Sequence, residues 1–126
     1  MTARHSEMSA AVGGVLPKQA SDSACRFIET LVSAALRVSL ADLRRRTRGR
    51  APTAYARQTA MYLAHVHLGL SRSEVGRISG RDRTTVSHAC ACVEDSRDDP
   101  RSERIISCLE AALECWQKSF PGLGAL

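Results

Sequence analysis

Aromatic side chains are nearly missing from this 126-residue chain: two Phe, two Tyr and one Trp make up 4% of it. Few stretches alternate apolar with polar residues, so a sheet with one wet face has little to be built from. No apolar run approaches the roughly 20 residues that span a bilayer. The AAVGGVL run after Arg4 is too short and too glycine-rich for a secretory signal. Five cysteines, an odd number without framework spacing, argue against a disulfide scaffold and for reduced thiols in a cytoplasmic protein. Gly13-Gly14 followed by Lys18 does not fit a G-x-x-x-x-G-K-S/T phosphate loop. Cys90-Ala91-Cys92, with His65, His67 and His88 elsewhere, invites a metal reading. On a helix, however, a spacing of two points the thiols about 200° apart, which is poor for one ion. With no nucleophile set beside a base either, the reading is no enzyme, no metal, no cofactor and no nucleotide.

What is present favours helices. Alanine, leucine and arginine dominate, and all three are good helix formers. A hydrophobic content of 44% supports a packed core, so the expected fold class is all-α. The net charge of +5 is concentrated in one region. From Asp42 to Ala89 ten arginines face three acids; from Cys92 to Glu114 seven acids face three arginines. A focused cationic region suits a polyanion, and a planar guanidinium fits phosphates and guanine edges better than an ammonium does.

Residues 1–21 mix Ser, Ala and Gly with few large apolar groups and read as a disordered leader. A first helix is predicted after Ser21 or Asp22, with Phe27, Ile28, Leu31, Val32, Ala35 and Leu36 as its core stripe. A short second helix should be capped by Ser39, with Val38, Leu40 and Leu43 inward. Arg44 to Pro52 holds five arginines in seven residues, Arg44 to Arg50, and then breaks at Gly49 and Pro52; it reads as a basic loop. A third helix from about Thr53 should carry Tyr55, Ala56, Thr59, Ala60, Leu63 and His67 on one face, with Gly69 as its terminator. The last helix, capped by Asp99 with Pro100 at its first position, presents Ile105, Leu109, Ala112, Leu113 and Trp116 and should end at Pro121-Gly122.

Between these, LSRSEVGRISGRDRTTVSHACACVED is the informative segment. Ser71 and Glu74 have capping-box spacing, so a short helix follows with Val75 and Ile78 inward. Gly80 supports a turn, and Asp82 caps a second helix whose core face is Val86, Ala89, Cys90 and Val93. Two short helices across a glycine turn make a helix-turn-helix. The second helix of such a unit reads the major groove with its N-terminal residues. Arg83, Thr84, Ser87 and His88 face away from the core there, with Thr85 at the edge. Threonine is a mediocre helix former, but at a helix start it offers a hydroxyl to phosphate or base and a methyl to thymine.

ARQTAMYLAH (56–65) followed by SEVGRISGRDRTTVSHAC (73–90) resembles the C-terminal DNA-binding domain of the bacterial replication initiators of the DnaA family. The resemblance covers roughly residues 23 to 96. It implies a Trp-repressor-like helical domain containing a helix-turn-helix, here with an extra C-terminal helix and without the family's ATPase domain. It also implies that the helix-turn-helix enters the major groove while a basic loop reaches the minor groove. Carried over by position, Asp82, Thr84, Thr85 and His88 match the major-groove and phosphate contacts, and Arg57 and Gln58 match the family's RQ pair, which contacts phosphate and base; Arg81, in the turn beside them, is also taken as a DNA-binding residue. The minor-groove arginine is Arg48 or Arg50. Where the family usually has histidine, this chain has Arg83, which can hold guanine O6 and N7 together.

The organisation expected is a leader (1–21), a helix-turn-helix domain (22–97) and a C-terminal helix (98–126) packing on the domain or on a partner. The leading function is sequence-specific binding of double-stranded DNA by a regulator of transcription or replication initiation. The alternative is an adaptor, or a homodimer, working through the C-terminal helix.

Overall fold

A computed structural model of the chain describes residues 18–45 and 50–119. Six α-helices make it up, with no strand among the described residues. Helix α1 spans Lys18–Leu36, α2 Leu40–Arg44, α3 Ala51–Tyr62, α4 Arg72–Ser79, α5 Arg83–Ser96 and α6 Pro100–Ser119.

The leader boundary at residue 21 needs correction, because α1 already begins at Lys18. Ser21 is not a cap; it is 2% exposed and continues the stripe of Ala24, Cys25, Ile28 and Val32 toward the N-terminus. A small hydroxyl residue can serve as a cap or as a close-packed helical residue, and burial decides here. The helix ends at Arg37, whose φ of 57° is left-handed without the help of glycine. Two bonds to one residue hold that bend: Val38 N–H donates to Ser33 O at 3.2 Å, and Ser33 Oγ donates to Val38 O at 2.5 Å. Val38 is thereby turned into the core. Helix α2 starts as expected, with Ser39 Oγ accepting from Asp42 N–H at 3.1 Å.

Helix α3 begins two residues before the expected Thr53, with Pro52 in its first turn, where a missing N–H costs nothing. Its last turn widens into a π-helical stretch, Leu63–His67. Leu68 N–H donates to Leu63 O at 3.2 Å, and Leu70 N–H reaches Ala64 O at 3.3 Å past a left-handed Gly69 (φ 77°). The His65 ring seals the exit through Nδ1, 2.7 Å from Leu70 O. The extra residue in the turn buries both Leu63 and Ala64 and leaves Val66 49% exposed.

One core joins all six helices. Ile28 and Val32 of α1 meet Ala56 of α3, Tyr62 at its end, Leu63 just beyond it, Val75 of α4 and Val86, Ala89 and Val93 of α5. Ile106, Leu109 and Leu113 of α6 close it. Each fully buried aliphatic side chain contributes about 1.5–3 kcal/mol. The stripe of α6 lies slightly aside from the predicted one: Ile106 is 0% exposed, Ile105 is half-buried and Ala112 faces solvent. Helix α6 is fastened to α1 by Trp116 stacked on Phe27, ring centroids 4.4 Å apart. The expected stop at Pro121-Gly122 lies outside the described residues.

Candidate nucleic-acid interface

The α4–turn–α5 unit is built on two glycines. Gly80 adopts φ 73°, and Arg81 N–H donates to Gly76 O at 2.9 Å, folding the chain back over α4. A Cβ on Gly76 would stand 2.5 Å from Arg81 O, so the approach of turn to helix requires a residue without a side chain. Ser71 Oγ caps α4 by accepting from Glu74 N–H at 3.1 Å. Asp82 Oδ1 caps α5 by accepting from Thr85 N–H at 2.8 Å. That amide holds the Asp82 carboxyl below the usual carboxylate range.

Helix α5 then divides by face. Val86, Ala89 and Val93 are buried, while Arg83, Thr84, Thr85 and His88 are exposed and Ser87 is half-exposed. His88 is not isolated: its Nε2 lies 3.4 Å from Cys92 Sγ, one turn along.

Arg45, at the start of the basic segment, meets the same corner. Arg81 reaches back to donate from Nη2 to Arg45 O at 3.3 Å, tying the turn to the start of the loop. From α3, Arg57 places Nε on Leu43 O at 3.0 Å and Nη2 on Asp42 O at 2.7 Å. Its guanidinium therefore clasps the C-terminal end of α2 and fixes where the loop departs. Burial, then the Arg81 and Arg45 charges, push the Arg57 pKa down. Gln58 is half-buried beside it, and Arg50 is exposed at the entrance to α3. Arg48 lies outside the described residues.

The opposite end of α5 carries a cluster that sequence reading missed. Arg97 bonds Glu103 through Nε (2.6 Å) and Nη2 (3.1 Å), Glu110 through Nη1 (3.0 Å) and Nη2 (3.1 Å), and Tyr62 Oη through Nη1 (3.0 Å). Tyr62 passes the chain on to Glu94 at 2.9 Å. The guanidinium draws the Glu103 carboxyl down to about 2, helped by the Ser107 hydroxyl, and the two carboxylates raise the Arg97 pKa. The acidic excess after Cys92 hinted at such a cluster; which arginine it would enclose depends on the packing of α6.

A family model described as the bacterial dnaA protein helix-turn-helix matches residues 25–93. Over 101 residues the chain is 37% identical to the chromosomal replication initiator protein DnaA of Symbiobacterium thermophilum, covering 79% of this chain and 21% of that protein. The DnaA protein of Lachnoclostridium phytofermentans is 43% identical over 58 residues, covering 44% of the chain and 13% of that protein. That of Desulfotalea psychrophila is 38% identical over 69 residues, covering 55% and 14%. The chain thus spans about a fifth or less of the length of these curated relatives.

Proposed function

The chain belongs to the bacterial DnaA helix-turn-helix family, and from that membership we propose that it binds double-stranded DNA as a regulator of replication initiation or transcription. In this reading Arg83, Thr84, Thr85, Ser87 and His88 enter the major groove with Asp82 at the helix start. Arg81, Arg57 and Gln58 meet the backbone between the grooves. Arg48 or Arg50 follows the adjacent minor groove. One observation carries most weight: both threonines are exposed at the start of α5, while Arg81 touches the root of the arginine segment. A groove-reading surface with arginines beside it can meet one duplex at once. Arg83 adds a fork suited to guanine, so the preferred sequence should include one at that step.

Gel shifts with duplexes containing DnaA-box-like sites at several salt concentrations test this. Affinity should fall steeply with salt, by about one logarithmic unit of slope per phosphate contact. Arg50→Ala should weaken binding and flatten the slope, and Thr85→Ala should weaken binding with the slope kept. Salt-insensitive binding, or none to any duplex, overturns the proposal.

A second reading, an adaptor or self-association surface, rests on an apolar groove of about 410 Å³ between α1 and α6, lined by Leu31, Ala34, Ile105 and Cys108 among others. Ile105→Glu should abolish a partner's capture and spare DNA binding; loss of neither removes this reading.

A further inference from the structure

Leu31, Ala34 and Ala35 of α1, with Ile105 and Cys108 of α6, line the groove of about 410 Å³ between the two helices. Ala34, Ala35 and Cys108 are exposed. So are Ala111, Ala112 and Cys115, which continue the outer face of α6 from Cys108 at helical spacing. Side chains this small let a second helix come close. The charges along α6 divide into those matched within the chain and those left over. Glu103 and Glu110 hold Arg97, and Asp99 caps the helix by accepting from Ser102 N–H at 3.0 Å. Asp98, Arg101, Arg104, Glu114 and Lys118 are exposed, and their side chains hold no ion pair among the described residues. Their order along the chain is minus, plus, plus, minus, plus. Laid beside itself in parallel, that order sets like on like. Reversed about Cys108, it sets Lys118 of one copy beside Asp98 of the other, both equally far from the axis. It also brings Glu114, about 9 Å from that axis, to Arg104, about 6 Å from it on the other copy.

We propose that a second copy of this chain docks here, the two α6 helices antiparallel with their outer faces together and Ile105 and Cys108 of each beside the groove of the other. This names the occupant and the geometry for the self-association reading given above, and rests on it. The apolar groove supplies the burial, and the reversed charges set the direction. Exposed ion pairs are weak singly, but a two-fold axis makes each of them twice. None of the residues assigned above to DNA lies on this face, so the dimer carries two helix-turn-helix units.

Sedimentation velocity of the whole chain, kept reduced and free of DNA, tests this from micromolar to near-millimolar concentration. A monomer–dimer equilibrium is expected, shifting to dimer as concentration rises. Arg104→Glu and Glu114→Arg, both exposed changes, should each weaken it about tenfold, and the two together should restore it to within about threefold. Restoration by the swapped pair requires the reversed arrangement, because neither charge has a partner among the described residues of its own copy. Ile105→Glu should abolish the dimer; should that variant unfold, the charge swap decides alone. A monomer at every concentration overturns the proposal and leaves the groove to a different protein, the adaptor form of the reading above. A dimer indifferent to both charge changes, or one that the swap fails to restore, overturns the antiparallel arrangement. A dimer that survives Ile105→Glu lies elsewhere and removes the proposal together with the self-association reading. Absence of all DNA binding would sink the leading function proposed above and leave this result standing.

Discussion

At the N-terminal end of α5, Arg83, Thr84, Thr85 and His88 stand in solvent, and Arg83 meets no carboxylate among the described residues. Nearly four turns on, just beyond the C-terminal end, Arg97 is nearly enclosed and bonds two carboxylates and a phenol. Both ends are rich in polar groups. They differ in whether the protein supplies the partners. A guanidinium taken out of water needs its donors matched, and the chain does this where α6 joins the domain. The Thr84 hydroxyl and the Arg83 guanidinium, left in water at the other end, cost little and stay available to something else. Polar residues matched from within mark structure, and those left open mark a surface for a partner.

Disturbing the turn itself should have the largest effect. Gly76→Ala forces a methyl against Arg81 O, and urea unfolding should show a loss of about 3 kcal/mol. If the loss is below about 0.5 kcal/mol, the turn is looser than its geometry indicates. Next, Arg97→Met orphans Glu103 and Glu110 and should cost about 2 kcal/mol of stability while leaving the duplex affinity of folded protein unchanged. At the open end the pattern should invert. Thr85→Ala should leave the urea midpoint nearly unchanged and weaken duplex binding by about 1 kcal/mol, roughly fivefold. A variant at either end that moved both readouts equally would erase the contrast.

Acid sharpens it further, with the smallest effect. The Glu103 carboxyl, about 2 in the folded protein against an ordinary 4.5, contributes stability above about pH 4.5 and loses it as pH falls toward 2. The Asp82 carboxyl is also lowered, so its cap weakens in the same direction. Melting temperature should therefore drop on acidification, and Arg97→Met should show a shallower drop because the Glu103 share is already gone.

The contrast also explains what could be read from residues alone. The helix-turn-helix was legible because each of its parts is local. Ser71 and Asp82 cap within three residues, Gly80 turns, and Val75, Val86, Ala89 and Val93 mark the inner faces by spacing. Contacts set by packing were not legible. The π-helical widening at Leu63–His67 depends on how the chain leaves α3, and the left-handed Arg37 is held by Ser33, four residues back. Arg57 carries the family's motif position, yet its grip on the carbonyls of Asp42 and Leu43 needs α2 and α3 side by side. The start of α1 was misplaced because Ser21 and Asp22 look like caps until Ser21 is found buried.

The chain has a single tryptophan, and its indole lies against the Phe27 ring at the seam of the first and last helices. Emission spectra therefore give a built-in optical gauge of one joint. A fluorescence change without loss of far-ultraviolet ellipticity would report the last helix lifting away while the remaining bundle holds, a distinction that needs no added dye.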